Sequence, residues 1–140
     1  MMSLAMRTPE QKDKSAPMRV LIVDDSQVVR ERLRSVLTEI DKVDVRLANE
    51  AAEADVALLQ EDLPDAVILD LVLEDGPAFH LIRDVKSIDP DIKVIVLTNY
   101  PFKAYRQKCL AKGADYFFDK SSEFDQVVDI IEEMSSEEAD

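Results

Sequence analysis

Cysteine, glycine, basic charge and long apolar runs are all scarce in this chain, and each shortage excludes something. A single cysteine, Cys109, cannot form an internal disulfide, and the count points to a reducing compartment. No glycine-rich phosphate cradle of the GxGxxG or P-loop type follows the first apolar run, which disfavours nucleotide binding; the only two glycines stand at 76 and 113. Lys and Arg number 17 against 30 Asp and Glu, a net charge of −13. Phosphate backbones need cations, so nucleic acid is an unfavourable partner. No apolar stretch approaches the roughly 20 residues of a membrane-spanning helix. The opening MMSLAMRTPEQKDKSAP has no continuous apolar segment of the kind a secretory leader needs. The expectation is a soluble, cytoplasmic protein away from the membrane.

What is present is a 140-residue chain, 46% apolar, long enough for one domain with a real core. Residues 1–17 are polar and end in Ala16-Pro17, a flexible N-terminal tail. Five short runs then alternate with five helical patterns. The runs are MRVLIV (18–23), VDVRLA (43–48), AVILD (66–70), IKVIVLT (92–98) and ADYFF (114–118). The helical patterns are SQVVRERLRSVLTEI (26–40, with Ser26 as N-cap), EAAEADVALLQE (50–61), FHLIRDVKSI (79–88), PFKAYRQKCLAKG (101–113) and SEFDQVVDIIEEM (122–134). Three of the runs are apolar throughout, as strands of a parallel sheet covered on both faces should be; VDVRLA alternates like a half-exposed edge. The reading is an α/β domain over 18–134, followed by an acidic C-terminal tail over 135–140.

In open sheets of this kind ligands bind beyond the carboxyl ends of the strands. Polar residues collect there. Strand 1 ends in Asp24-Asp25, strand 3 in Asp70, strand 4 in Thr98, and strand 5 near Asp119-Lys120. Adjacent acids at the mouth of a core strand repel unless a cation offsets them. Carboxylates with no His or Cys beside them suit a hard divalent cation such as Mg2+. A carboxylate can also attack phosphorus to give an aspartyl-phosphate, with a cation, Thr98 and Lys120 neutralising the phosphoryl oxygens.

Four fragments closing four predicted strands, VDDS (23–26), ILDL (68–71), VLT (96–98) and FFDK (117–120), resemble the receiver domains of two-component response regulators. The resemblance implies a flavodoxin-like, doubly wound (βα)5 fold with a five-stranded parallel sheet in the order 2-1-3-4-5. It implies Asp70 as phospho-acceptor. Asp24, Asp25, Asp70 and the Val72 backbone carbonyl would be ligands of Mg2+ (or Mn2+). Thr98 would be the switch hydroxyl, Lys120 the phosphate-pairing lysine and Phe117 the switch aromatic. Val72, Asn99 and Tyr100 would flank phosphoryl access. A histidine kinase or phosphotransfer protein would be the donor, and a downstream protein would read the face of the fourth helix, fifth strand and fifth helix. With no residues left for an output domain, the chain is expected to act as a stand-alone, single-domain regulator, not an enzyme, and not to bind DNA.

The sequence departs from the family pattern at Ser121, where proline is usual after the lysine, at Ala78, where glycine is frequent, and at Asn99, where a small residue is usual. A cis bond costs about 2.5–4 kcal/mol before Ser, so Lys120-Ser121 is expected trans. Two other classes fit less well. A phosphatase using an aspartyl-phosphate needs a general acid two residues after the nucleophile, where Val72 stands. A flavodoxin-like electron carrier needs phosphate-cradling loops, and an acidic crevice repels the cofactor phosphate. DLVLEDG (70–76) fails as a calcium loop, since Val72 holds the third position. His80 is assigned no role and Cys109 is expected to be a semi-buried helix residue.

Overall fold

A computed structural model describes residues 16–58 and 62–139. Most of the expected N-terminal tail and the end of the second predicted helix, 59–61, lie outside the described residues. The chain order is β1 (Met18–Val23), α1 (Gln27–Leu37), β2 (Val43–Ala48), α2 (Ala51–Leu58), β3 (Ala66–Leu69), β4 (Val72–Leu73), β5 (Gly76–Pro77), α3 (His80–Ile88), β6 (Lys93–Thr98), α4 (Lys103–Lys112), β7 (Tyr116–Asp119) and α5 (Phe124–Ala139). The main sheet has the order β2-β1-β3-β6-β7, all parallel. This is the expected 2-1-3-4-5 order of the five predicted strands.

The apolar runs look uniform in sequence, but the pleat sorts them between two cores. Met18, Val20 and Ile22 of β1, with Ala66, Ile68, Ile95 and Leu97, meet Leu33 and Leu37 of α1 and Phe124, Val127 and Ile131 of α5. The intervening Leu21 and Val23, with Val67, Leu69, Val94 and Val96, meet Ala54 of α2, Leu81 and Val85 of α3, and Cys109 of α4. Two buried faces with period-2 alternation explain why these strands are apolar along most of their length, with Arg19 and Lys93 only near their starts. Ile22, Leu33, Leu69 and Ile95 are all 0% exposed, and truncating such a side chain to Ala typically costs about 2–5 kcal/mol.

Helix ends follow local chemistry. The Ser26 hydroxyl accepts from Val29 N–H at 3.3 Å and starts α1. Gly113 ends α4 with φ +112°, a left-handed geometry that glycine adopts without strain. The fourth helix begins at Lys103 rather than at Pro101, which stands before the capping residue Phe102. The fifth helix runs to Ala139, through most of the segment expected as a C-terminal tail. Its added turn is docked: Ser135 is buried and its hydroxyl donates to the Asp41 carbonyl at 3.0 Å. Cys109 is fully buried rather than half-buried.

The small antiparallel hairpin β4–β5 was not foreseen from sequence. It pairs Val72 with Pro77 and Leu73 with Gly76, turning at Glu74-Asp75, and Ala78 N–H closes it on the Leu71 carbonyl at 2.8 Å. Gly76 lies at φ +120°. Asp75 reaches from this turn to the start of α2, where its carboxylate accepts Ala51 N–H at 3.1 Å and Ala52 N–H at 3.2 Å. Those hydrogen bonds, Ala51's first, hold the Asp75 carboxyl below its ordinary value. A carboxyl depressed in the fold adds stability above its unfolded pKa and loses it as pH falls through the folded value. Asp75→Ala should therefore lower the melting temperature by a few degrees at pH 7. The gap to wild type should close on acidification through the carboxylate range; a gap independent of pH would refute the capping role.

Candidate functional site

Backbone hydrogen bonds set the site before any side chain does. Asp24 N–H bonds to the Ala48 carbonyl at 3.0 Å, Asp70 N–H to Val23 at 2.9 Å and Lys120 N–H to Thr98 at 2.8 Å. Each residue thus continues a parallel ladder one step past its strand, and the ladder fixes where its side chain leaves the sheet. Asp24, Asp25 and Asp70 converge there, with one oxygen of each within 4.8 Å of the others. Asp24 is 3% exposed and Asp70 6%, while Asp25 is half-buried.

Lys120 reaches into the same crevice. Its Nζ lies 2.7 Å from Asp24 Oδ2 and 3.2 Å from Asp70 Oδ2. The other Asp24 oxygen accepts Ser26 N–H at 2.8 Å, and Arg30 donates to the Asp24 carbonyl at 2.8 Å. Asp70 Oδ1 accepts a long bond from Val72 N–H at 3.5 Å. Burial, reinforced by the charge of Asp24, holds the Asp70 carboxyl above its ordinary value against the opposing pull of Lys120. Burial disfavours charge on Lys120, but its hydrogen bond to Asp24 and the charges of Asp70 and Asp24 outweigh this and raise its pKa. Three carboxylates facing one ammonium leave two negative charges, the deficit a divalent cation would balance, and the donors are all oxygen. The residues fit a hard divalent metal.

The remaining predicted residues border this cluster. Thr98 is fully buried, and its hydroxyl accepts Tyr100 N–H at 3.0 Å. Phe117, 6% exposed, packs in the α2–α3–α4 core, with Arg106 5.8 Å over its ring and donating to its carbonyl at 3.3 Å. Val72, Asn99 and Tyr100 are all exposed near the crevice. No cis peptide occurs among the described residues, so Lys120-Ser121 is trans as expected. The turn after Lys120 is held by Asp119, whose carboxylate accepts both the Ser121 N–H (3.0 Å) and hydroxyl (2.8 Å). Arg30 and the Asp119 turn escaped the sequence reading. An arginine six residues after Asp24, one turn into α1, was the signal for the first. Cys109 cannot act as a nucleophile with His80, because burial pushes its thiol up to about 11 while His80 lies at the surface.

Comparison with known proteins points one way. Residues 20–132 match the family described as response regulator receiver domain. The response regulator MprA of Mycolicibacterium vanbaalenii is 36% identical over 104 residues, covering 74% of this chain and 44% of that protein. The chain thus spans less than half the length of this curated relative. The non-phosphorylated HemR receiver domain of Leptospira biflexa superposes with a TM-score of 0.73 at 29% identity, covering 84% of this chain and 93% of that one. A Burkholderia pseudomallei response regulator with a phosphorylated aspartic acid, a calcium ion and citrate superposes with a TM-score of 0.72 at 25% identity, covering 87% and 73%.

Removing Lys120 leaves Asp24 and Asp70 buried without their cation. Breaking a buried ion pair from one side costs roughly 3–5 kcal/mol. Lys120→Ala should lower unfolding free energy by that order in metal-free buffer, measured by chemical denaturation. A loss within the range of about 0–1 kcal/mol typical of surface pairs would place Lys120 outside the carboxylate network.

Proposed function

The chain belongs to the receiver domains of response regulators, the signalling proteins of two-component systems, and on that premise we propose that it accepts a phosphoryl group on Asp70. The observation that carries this reading is the convergence of Asp24, Asp25 and Asp70 at the carboxyl end of the sheet with Lys120 between two of them. The donor is a phosphohistidine on a histidine kinase or phosphotransfer protein. An Asp70 carboxylate oxygen attacks phosphorus; the new O–P bond forms as the N–P bond breaks, and the imidazole nitrogen keeps the departing electron pair. Asp24, Asp25, Asp70 and the Val72 carbonyl would hold Mg2+ (or Mn2+), which supplies positive charge to the phosphoryl oxygens. Lys120 exchanges part of its pairing with Asp70 for a phosphoryl oxygen. Thr98 turns its hydroxyl from Tyr100 N–H toward the same group, and Phe117 responds beside it.

The chemistry ends on the chain's own acceptor, with no separate substrate turned over. The reader is a protein that docks on the α4–β7–α5 face. The net charge of −13 argues against direct nucleic-acid contact by these residues. Among the described residues no helix is long and apolar enough to cross a membrane.

Incubation with Mg2+ and acetyl phosphate should give a phosphoryl mass shift on the wild type and none on Asp70→Asn. Mg2+ should raise the wild-type melting temperature by binding the native state, and Asp25→Ala should abolish that rise. Full labelling of Asp70→Asn would refute the assignment of the acceptor, and an unchanged Mg2+ response in Asp25→Ala would remove Asp25 from the ligand set.

Phosphoryl lifetime should be long. Hydrolysis needs an in-line water, and Val72 offers no hydrogen bond to orient one, while Asn99 and Tyr100 crowd the approach. Decay after donor removal should be slower in wild type than in Val72→Asn, Asn99→Ala or Tyr100→Ala. Fastest decay in the wild type would mean that these side chains assist the water.

A further inference from the structure

A second group of ligating side chains lies away from the acidic crevice, on the seam between α2 and α3. Asp55 of α2 and His80 and Asp84 of α3 bring one ligand atom each to within 4.8 Å of one another, all at the surface. His80 is the only histidine in the chain. It stands four residues before Asp84, so the two share one face of α3 a turn apart. Asp55 faces them from the neighbouring helix. Asp75 adds a further acid within electrostatic reach of His80, though its oxygens are committed to the start of α2.

An ion pair is the plainer explanation of such a cluster, but it accounts for it poorly. One imidazole, even when protonated, carries a single positive charge and cannot by itself offset two carboxylates brought this close. A dication offsets both and uses the imidazole nitrogen as well. The donor chemistry also separates this group from the first. The crevice offers oxygen alone, which suits Mg2+ or Mn2+. An imidazole with two carboxylates suits the dications that favour nitrogen, Zn2+, Ni2+, Co2+ and Cu2+.

We propose that the α2–α3 seam is a transition-metal site of the Zn2+ class, with His80 and one carboxylate oxygen each from Asp55 and Asp84 as protein ligands and water completing the shell. The ligands come from two neighbouring helices, so a bound ion ties them together. The same ion sits close to the loop that connects Asp70 to α3, because the β4–β5 hairpin leaves Asp70, lends Asp75 to α2 and delivers the chain to His80. Metal at the seam would stiffen that connection. The site does not rest on the assignment of Asp70.

The test is calorimetric titration of Zn2+ into the full 140-residue chain with Mg2+ present in excess to fill the crevice, alongside Co2+ absorption to report the ligand field. One Zn2+ should bind with micromolar affinity. His80→Gln and Asp84→Asn should each weaken it by about tenfold or more. Both seam variants replace exposed side chains, and a preserved Mg2+-induced rise in melting temperature confirms that they fold. Three results would overturn the proposal: equal Zn2+ affinity in His80→Gln, displacement of Zn2+ by Mg2+, or binding only at millimolar concentration.

Discussion

Lys120 stands between two buried carboxylates, and the arrangement of the sheet follows the need to bring these three groups together. Asp24 and Asp70 end neighbouring strands, β1 and β3, so their side chains leave the sheet side by side. At an effective dielectric of about 20, unit charges about 4 Å apart interact by roughly 4 kcal/mol, against about 1 kcal/mol in water. Repulsion on that scale is comparable with a large share of a domain's net stability. The compensating ammonium comes from β7, on the far side of β6, and only a long side chain can cross that gap. The backbone bond from Lys120 N–H to the Thr98 carbonyl and the Asp119 turn behind it aim the lysine across. The turn supplies with side-chain hydrogen bonds the rigidity that a proline at position 121 would supply through its ring.

The two-sided burial of the sheet makes the fold legible and also hides part of it. Strands covered on both faces are apolar along most of their length, so MRVLIV and KVIVLT declare themselves, but nearly uniform runs cannot say which residue faces which core. Register is read only once the partners are known. The candidate site was legible for a different reason. A charged residue at the end of an apolar run has few structural excuses, and three such ends, with Thr98 closing a fourth run, left little freedom. What escaped were features whose partners are distant in sequence. Asp75 caps a helix 24 residues earlier, and Ser135 anchors α5 through a carbonyl 94 residues away. The β4–β5 hairpin has strands of two residues each, too short for any periodicity to register.

The overall acidity conceals a division of charge around β7. The α4 helix carries Lys103, Arg106, Lys108 and Lys112 and no acid, while the first three turns of α5 carry Asp125, Asp129, Glu132 and Glu133 and no base. The strand between them bears Phe117 and leads to Lys120. Arg106 links the basic helix to this strand through its contact with the Phe117 ring and carbonyl. The strand β7, paired with β6, thus lies between a basic helix and an acidic one.

The energetic demand of the proposed switch is set at the bond between Thr98 and Tyr100. Turning the Thr98 hydroxyl toward a phosphoryl group breaks its bond from Tyr100 N–H. A buried amide left without a partner costs about 1–3 kcal/mol, whereas exchange of a protein partner for water changes stability by only about 0.5–1.5 kcal/mol. Thr98 is 0% exposed, and its bond from Tyr100 N–H is part-buried, so the cost of the proposed turn falls between those two limits, set by how far water reaches the vacated amide. In the proposed switch a single hydroxyl would couple the crevice to the start of α4, where Tyr100 and Phe102 form an exposed aromatic pair.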